Sequence, residues 1–128
     1  MSGWFWVRLG AIAGFVGVGV GAFGAHGLKE KLQGLGTSAT FQTATEYHLY
    51  HALALVAVGL VALAGRGGTA LAVAGWSFLA GILLFSGSLY ALSLTGATKL
   101  GMIAPLGGLA FLAGWGALAV AAGGGARP

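Results

Sequence analysis

The sequence predicts an all-α membrane protein, an antiparallel bundle of four transmembrane helices with a short interfacial helix between spans one and two. Of its 128 residues, 58% are hydrophobic and only 6% are charged, whereas soluble domains carry about 25% charged residues. Four apolar stretches are long enough to cross a bilayer, which takes about 20 residues per helix. The polar residues gather between these stretches, which is the pattern of a multi-span protein.

The predicted spans cover residues 4–25, 47–64, 70–94 and 100–122, with the interfacial segment at 26–46. Together they form a single membrane domain over residues 1–128 whose main partner is the lipid bilayer. The net charge of +4 comes from six basic residues placed singly at the ends of apolar runs. Without a basic stripe interleaved with aromatics, nucleic-acid binding is not predicted. The chain has no cysteine, so disulfides and thiolate metal ligands are excluded.

Glycines recur every three or four residues through span one and share one helical stripe. A glycine stripe lets another helix approach closely, and such contacts are a main source of helix association in lipid. We therefore predict a packing seam that also offers a surface for homo-oligomers, with a glycine-lined ligand crevice as the alternative. Trp4 and Trp6 are expected to anchor the span at the membrane interface. The stripe consists of Gly10, Gly14, Gly17, Gly21 and Gly24.

The interfacial segment contains a short amphipathic pattern. Leu28, Leu32 and Leu35 recur at helical spacing among charged residues, which is typical of a helix that lies in the membrane interface. Span two is expected to start at a capping box in residues 43–46, with Glu46 as the cap that reaches back to the Thr43 amide. The alternative is an earlier start, near residue 37 or 38.

Spans three and four carry two further features. Residues 65–69 form a glycine-rich turn that makes spans two and three antiparallel neighbours, and span three becomes polar again over residues 85–90. In span four, Pro105 removes one backbone hydrogen bond, and Gly107 and Gly108 follow it. We expect a kink or an unwound turn there, which requires cover by protein or a cavity.

Threading four spans through a bilayer brings most polar side chains to one membrane side, which we call the polar pole. Both acidic residues are expected outside the hydrocarbon or at its edge, which argues against proton-coupled export. The pole's candidate binding residues are His26, Tyr47, Tyr50, His51, Ser86, Ser88 and Tyr90, with Glu46, His48, Thr95, Thr98 and Lys99 nearby.

His51 is the titratable group placed best to lie inside the hydrocarbon, because it is about 7 Å deeper along the helix than Glu46. Its predicted partners are Tyr47, Tyr50 or a serine of span three. Four interpretations of the polar pole remain open: side chains that only bond across the bundle, a metal or haem site of His26 and His51, a small-molecule or quinone pocket, and a proton or ion path. No firm metal site and no cofactor follow from the pattern.

No nucleophile and base occur at a recognisable spacing, so the sequence does not indicate an enzyme. The first functional hypothesis is a non-enzymatic accessory or structural membrane component, within a larger membrane complex. The second is binding or permeation of a small molecule, quinone, metal or ion through the His, Tyr and Ser side chains of the polar pole.

Four ordered segments resemble the DUF423 family of small bacterial inner-membrane proteins of unknown function, which is similar to the eukaryotic transmembrane protein 256 group. The resemblance implies a multi-pass protein of the bacterial plasma membrane, and it gives no substrate. By this resemblance Glu46 and His48 are more variable, Ala104 stands where threonine is usual, and His26 and His51 are favoured over His48. The segments are GAFGAHGL at 21–28, YHLYHALAL at 47–55, FSGSLY at 85–90 with LTG at 94–96, and LGMIAPLGG at 100–108.

The orientation in the membrane follows from a small excess of positive charge. Arg8, Arg66 and Arg127 lie on the side of the termini, and three lysines lie on the polar side. The N-terminal amine adds one more positive charge to the side of the termini. The positive-inside rule therefore favours cytoplasmic termini.

Overall fold

The computed structural model describes residues 2–124, and its elements are helices joined by short turns. A π-helical turn, Ile82–Ser86, joins the fourth and fifth helices, and a 3₁₀ turn, Thr98–Met102, precedes the sixth. The six α-helices are α1 (Gly3–Ala25), α2 (Lys29–Leu35), α3 (Ser38–Leu63), α4 (Thr69–Gly81), α5 (Gly87–Thr95) and α6 (Ala104–Gly123).

Four helical stretches within the described residues are long and apolar enough to cross a membrane, as the sequence predicts. The first two are α1 and α3. The third runs without a break through α4, the π-helical turn and α5, and the fourth comprises the 3₁₀ turn and α6. The protein is therefore a four-span, multi-pass membrane protein, and α2 is the predicted short helix between spans one and two.

The glycines of α1 form an intramolecular seam against α3. A methyl group on Gly10 would lie 2.7 Å from the Ala52 carbonyl oxygen, and one on Gly3 would lie 2.5 Å from the Gly59 carbonyl oxygen. Gly24 packs on the Phe41 ring near the opposite end, so the two helices are antiparallel. The packing seam is confirmed, but its surface is covered by α3, and a homo-oligomer would have to form through another surface.

The third and fourth spans also pack through glycines. In some contacts the third span supplies the glycine and the fourth the aromatic ring, and in others the reverse holds. Gly81 of α4 lies on the Phe111 ring, whereas Gly114 of α6 lies on the Phe78 ring. Gly107 of α6 lies against the backbone of Phe85 in the π-helical turn. Because these pairs run in opposite directions along the two helices, α6 is antiparallel to the third span.

One expectation about local structure is wrong, and another is displaced by a few residues. The capping box at residues 43–46 does not begin a helix, because α3 already starts at Ser38, the earlier of the two possible starts. Glu46 is therefore not a cap but an internal residue that accepts a hydrogen bond from Gln42 Nε2 at 3.0 Å. The break in the α-helix of span four that was expected at Pro105 lies directly before it, because the 3₁₀ turn Thr98–Met102 and Ile103 precede α6, and Pro105 lies in the first turn of α6. There a proline's missing N–H has no partner to lose.

Trp6 is also misassigned by the sequence pattern. Trp4 is 66% exposed, as an interfacial anchor should be, but Trp6 is only 2% exposed. Its indole packs against the Cα of Gly75 and meets the Trp76 ring edge-on at 5.2 Å. Trp6 therefore belongs to the core between α1 and α4.

The helix ends follow ordinary capping chemistry. Gly36 ends α2 with φ of 68°, and its N–H bonds to the carbonyls of the last turn, which is the left-handed termination that glycine favours. Gly34, by contrast, lies inside the helix. At the opposite membrane face, Arg66 donates to the Ala122 carbonyl at 2.8 Å. A cation there complements the negative end of the α6 dipole.

Candidate functional site

His51 lies at the middle of the bundle, in contact with α6. It is 4% exposed, and its ring stacks on Phe111 at 3.5 Å and 9°. Its Nδ1 lies 2.7 Å from the Tyr47 carbonyl, and its Nε2 accepts a hydrogen bond from Trp115 Nε1 at 3.0 Å. Because the indole N–H only donates, Nε2 is the acceptor and the proton of a neutral ring is on Nδ1.

His48, one turn closer to the polar pole, joins three spans. It is 5% exposed, with Nε2 2.9 Å from the Ala13 carbonyl of α1 and Nδ1 2.8 Å from the Tyr90 hydroxyl of α5. A carbonyl only accepts, so Nε2 carries the proton and Tyr90 donates to Nδ1. In their neutral forms the two histidines are therefore opposite tautomers, and each ring is bonded at both nitrogens.

The expected ranking of the histidines changes accordingly. The family resemblance ranks His48 below His26 and His51, but the structure shows that His48 is one of the two buried imidazoles and the partner of Tyr90. His26 lies exposed at the end of α1. Ala13, which His48 reaches, is thirteen residues before it, or about 20 Å along the helix. His26 and His51 are therefore too far apart to bind the same metal ion.

A metal site receives no support from the arrangement. Within residues 2–124, no group of three or more His, Cys, Asp or Glu side chains is placed to hold a metal ion. Every ring nitrogen of the two buried histidines already has a protein partner. A metal at any of them would displace a hydrogen bond in a medium where replacements are scarce.

The serines of the polar pole bond to backbone rather than to His51. Ser86, fully buried, donates to the Ala44 carbonyl of α3 at 2.7 Å. Ser88 donates to the Phe85 carbonyl at 3.0 Å. Ser86 therefore connects the π-helical turn to α3, and Ser88 of α5 bonds to a carbonyl of the π-helical turn that precedes it.

Tyr47 and Tyr50 line a crevice of about 570 Å³ between α3 and α6. They are 40% and 54% exposed. The Tyr47 ring packs on Phe85 at 4.8 Å, and Trp115 lies at the far end of the crevice beside His51. The structure thus brings Tyr47, Tyr50 and His51 together, while Tyr90 lies on the other side of α3 with His48.

Sequence reasoning missed Trp115, Phe111, Thr37 and Ser93. Thr37 donates to the Ser93 carbonyl at 2.7 Å and so joins the start of α3 to the end of α5. The position of Trp115 could have been noticed in the sequence. Tryptophan is usual at membrane interfaces, and a tryptophan in the middle of a span needs a hydrogen-bond partner for its N–H. Phe111 and Ser93 offered no signal that distinguishes them from other span residues.

Comparison with known proteins identifies relatives along most of the chain. The model of the family described as "Protein of unknown function (DUF423)" matches residues 20–108. The chain is 47% identical over 116 residues to the UPF0382 membrane protein YwdK of Bacillus subtilis, covering 91% of this chain and 94% of that protein.

Two further bacterial relatives have comparable coverage. A UPF0382 membrane protein of Staphylococcus epidermidis is 45% identical over 117 residues, 90% of this chain and 92% of that protein. One of Haemophilus influenzae is 43% identical over 114 residues, 89% of this chain and 90% of that protein. No solved structure matches. The relatives are named as membrane proteins, and their names state no activity.

Proposed function

Because the chain belongs to the DUF423 family, whose function is unknown, we propose its role from geometry: a non-enzymatic structural or accessory component of the membrane. The observation that carries this proposal is that both nitrogens of His48 and of His51 are bonded to protein groups. A general base or a metal ligand needs a free lone pair facing its substrate. These imidazoles instead connect α3 to α1, α5 and α6.

A second candidate function rests on the crevice between α3 and α6. Its walls are aromatic, and two half-exposed tyrosines carry hydroxyls beside an apolar slot. Such a slot suits a flat ring with polar substituents, such as a quinone, because stacking of aromatic rings adds modestly to the binding free energy. In this version Tyr47 and Tyr50 bind the ligand and His51 holds the α6 wall in place.

One experiment separates the two candidates. We expect protein purified in neutral detergent to show no visible absorption band, no stoichiometric metal and no stoichiometric quinone in an organic extract. The same measurements on Tyr50→Ala and His51→Ala should give the same result. A chromophore or quinone that is lost in Tyr50→Ala, but kept in the lipid-facing control Leu60→Ala, would replace the structural role by the binding role.

We place the protein in the bacterial plasma membrane with both termini in the cytoplasm. The relatives are bacterial membrane proteins, and the order of the four spans assigns Arg8 and Arg66 to the side of the termini, with Arg127 beyond the described residues. The opposite side carries Lys29, Lys31 and Lys99 among two acidic residues, and positive charge is retained inside.

The orientation is tested with two reporters fused after Pro128. Green fluorescent protein should fluoresce and alkaline phosphatase should be inactive, because the first folds in the cytoplasm and the second needs an oxidising compartment. An active phosphatase with a dark fluorescent protein would reverse the assignment.

A further inference from the structure

The face of α1 that points away from α3 carries one charged residue, Arg8, among apolar ones. Gly3 and Gly10 pack on α3. Arg8 follows Gly3 by five residues and precedes Gly10 by two, which places it about 140–160° from both around the helix axis. Arg8 is also exposed. Its side chain therefore lies on the lipid-facing side of the span, opposite the glycine seam.

The neighbours of Arg8 on this face are residues that contact phospholipid readily. Trp4 lies one turn before Arg8, Ile12 lies one turn after it and Phe15 about two turns after it. All three are exposed. Tryptophan is usual at membrane interfaces, whereas isoleucine and phenylalanine offer purely apolar surface. Along α1, the face thus passes from an interfacial aromatic ring, through one cation, to a surface that suits acyl chains.

The guanidinium of Arg8 lies within reach of the lipid headgroups. With 23 residues, α1 is about 35 Å long, and the hydrocarbon core is about 30 Å thick, so the first turns of α1 lie at the membrane interface. Side chains of a helix tilt towards its N-terminus. A long basic side chain also keeps its methylene groups on apolar surface and extends its charge towards the interface. Arg8 therefore extends towards the membrane face of the termini.

No acidic side chain of the protein neutralises Arg8. The sequence contains two, Glu30 and Glu46. Glu30 belongs to α2, beyond the far end of α1. Glu46 follows Thr45, which packs on Gly21. Gly21 is thirteen residues after Arg8, or about 20 Å along the helix. Both carboxylates are therefore out of reach of the guanidinium.

The charge of this membrane face is complementary to an anionic lipid. The side of the termini carries Arg8 and Arg66 and no acidic side chain. Arg66 already donates to the Ala122 carbonyl, whereas Arg8 takes part in none of the side-chain hydrogen bonds within residues 2–124. A guanidinium binds phosphate through two parallel hydrogen bonds. A zwitterionic phospholipid carries its own ammonium group beside the phosphate, and an anionic phospholipid such as phosphatidylglycerol does not.

We infer that the outer face of α1 is a binding surface for one anionic phospholipid. Its phosphate contacts Arg8, its glycerol backbone lies beside Trp4, and one acyl chain runs along Ile12 and Phe15. The apolar residues beyond Arg8 favour a lipid over a soluble anion, which would gain nothing from them. This surface goes beyond the structural role proposed above and does not depend on it.

The test is the quenching of tryptophan fluorescence by brominated lipids in vesicles that contain the full chain. The Trp4 signal is the difference between a protein and the same protein with Trp4→Phe, which subtracts the other three tryptophans. Brominated phosphatidylglycerol should quench Trp4 with an affinity about fivefold higher than brominated phosphatidylcholine, the effect of one basic residue near an anionic surface. Arg8→Gln should abolish this preference. Arg8→Lys should keep part of it, because lysine retains the charge and loses the bidentate contact.

Lys99→Gln is the matched control. It removes one positive charge from an exposed residue on the side of the polar pole, and it should leave the preference of Trp4 for phosphatidylglycerol unchanged.

Four results would overturn the proposal. Equal quenching of wild-type Trp4 by the two lipids would show no selectivity, and a preference that survives in Arg8→Gln would show that Arg8 is not the contact. An equal loss in Lys99→Gln would assign the preference to net charge. Displacement of the lipid by inorganic phosphate at constant ionic strength would assign Arg8 to a soluble anion.

Discussion

Gly10→Ala is expected to lower the free energy of unfolding by about 1–3 kcal/mol, the usual cost of overpacking a close contact. The added methyl would lie 2.7 Å from both the Ala52 carbonyl oxygen and the Val56 amide nitrogen. Both atoms belong to the backbone of α3, so no side chain can turn away, and α1 has to move outwards along part of the seam. The measurement is thermal or denaturant unfolding of the purified protein in a neutral detergent.

Gly19→Ala on the same helix is the matched control. Nothing lies within 4 Å of a methyl group at that position, and alanine is about 1 kcal/mol better than glycine in a helix interior. This variant should be as stable as the wild type or slightly more so. If Gly10→Ala and Gly19→Ala behave alike, the α1–α3 seam is not the close contact described above.

His51→Ala is expected to cost about 2–5 kcal/mol, the range for truncating a large buried side chain. The change removes the stack on Phe111 and leaves the Trp115 N–H without its acceptor. His51→Phe keeps an aromatic ring in the stack and loses only the polar contacts. Since interhelical hydrogen bonds in membranes are worth about 0.6 kcal/mol on average and up to about 1.7, it should cost clearly less than the alanine variant.

A double-mutant cycle with Trp115→Phe isolates the bond between the indole and the imidazole. Combining His51→Phe with Trp115→Phe should show a coupling energy of about 0.5–2 kcal/mol. His26→Ala is the control for a histidine outside the bundle, because His26 is exposed at the end of α1, and it should change stability by at most about 0.5 kcal/mol. A cost for His26→Ala equal to that for His51→Ala would contradict the assignment of the buried network.

These expectations differ in how far the sequence alone could support them. The glycine stripe of α1 was readable, because spacing of three and four residues defines a helical face whatever lies opposite. The sequence did not show which helix packs against this stripe, because a flat face fits a neighbouring span and a second protomer equally well. The contact of Gly10 with Ala52 and Val56 decides for the neighbouring span.

For the histidines of the polar pole, most of the arrangement came from the structure and little from the sequence. Sequence placed His26, His48 and His51 on one membrane side, which is all that topology provides. The rotation of α3 about its axis then turns His48 towards α1 and α5, and His51 towards α6. The rotation of a helix is set by packing against all its neighbours at once. The partners Ala13, Tyr90 and Trp115 could therefore not be predicted from the pattern of a single segment.

Glu46 illustrates the same limit at the scale of a helix end. The capping-box pattern at residues 43–46 is genuine, yet α3 begins at Ser38, five residues before Thr43, so Glu46 is an internal residue of the helix. Hydropathy and periodicity are properties of single segments, and they sufficed to predict the membrane environment, the four spans, the short helix between spans one and two and the glycine stripe of α1. Which helix faces meet and where Pro105 falls in its helix depend on the packing and register of segments distant in the chain, so these features required the tertiary structure.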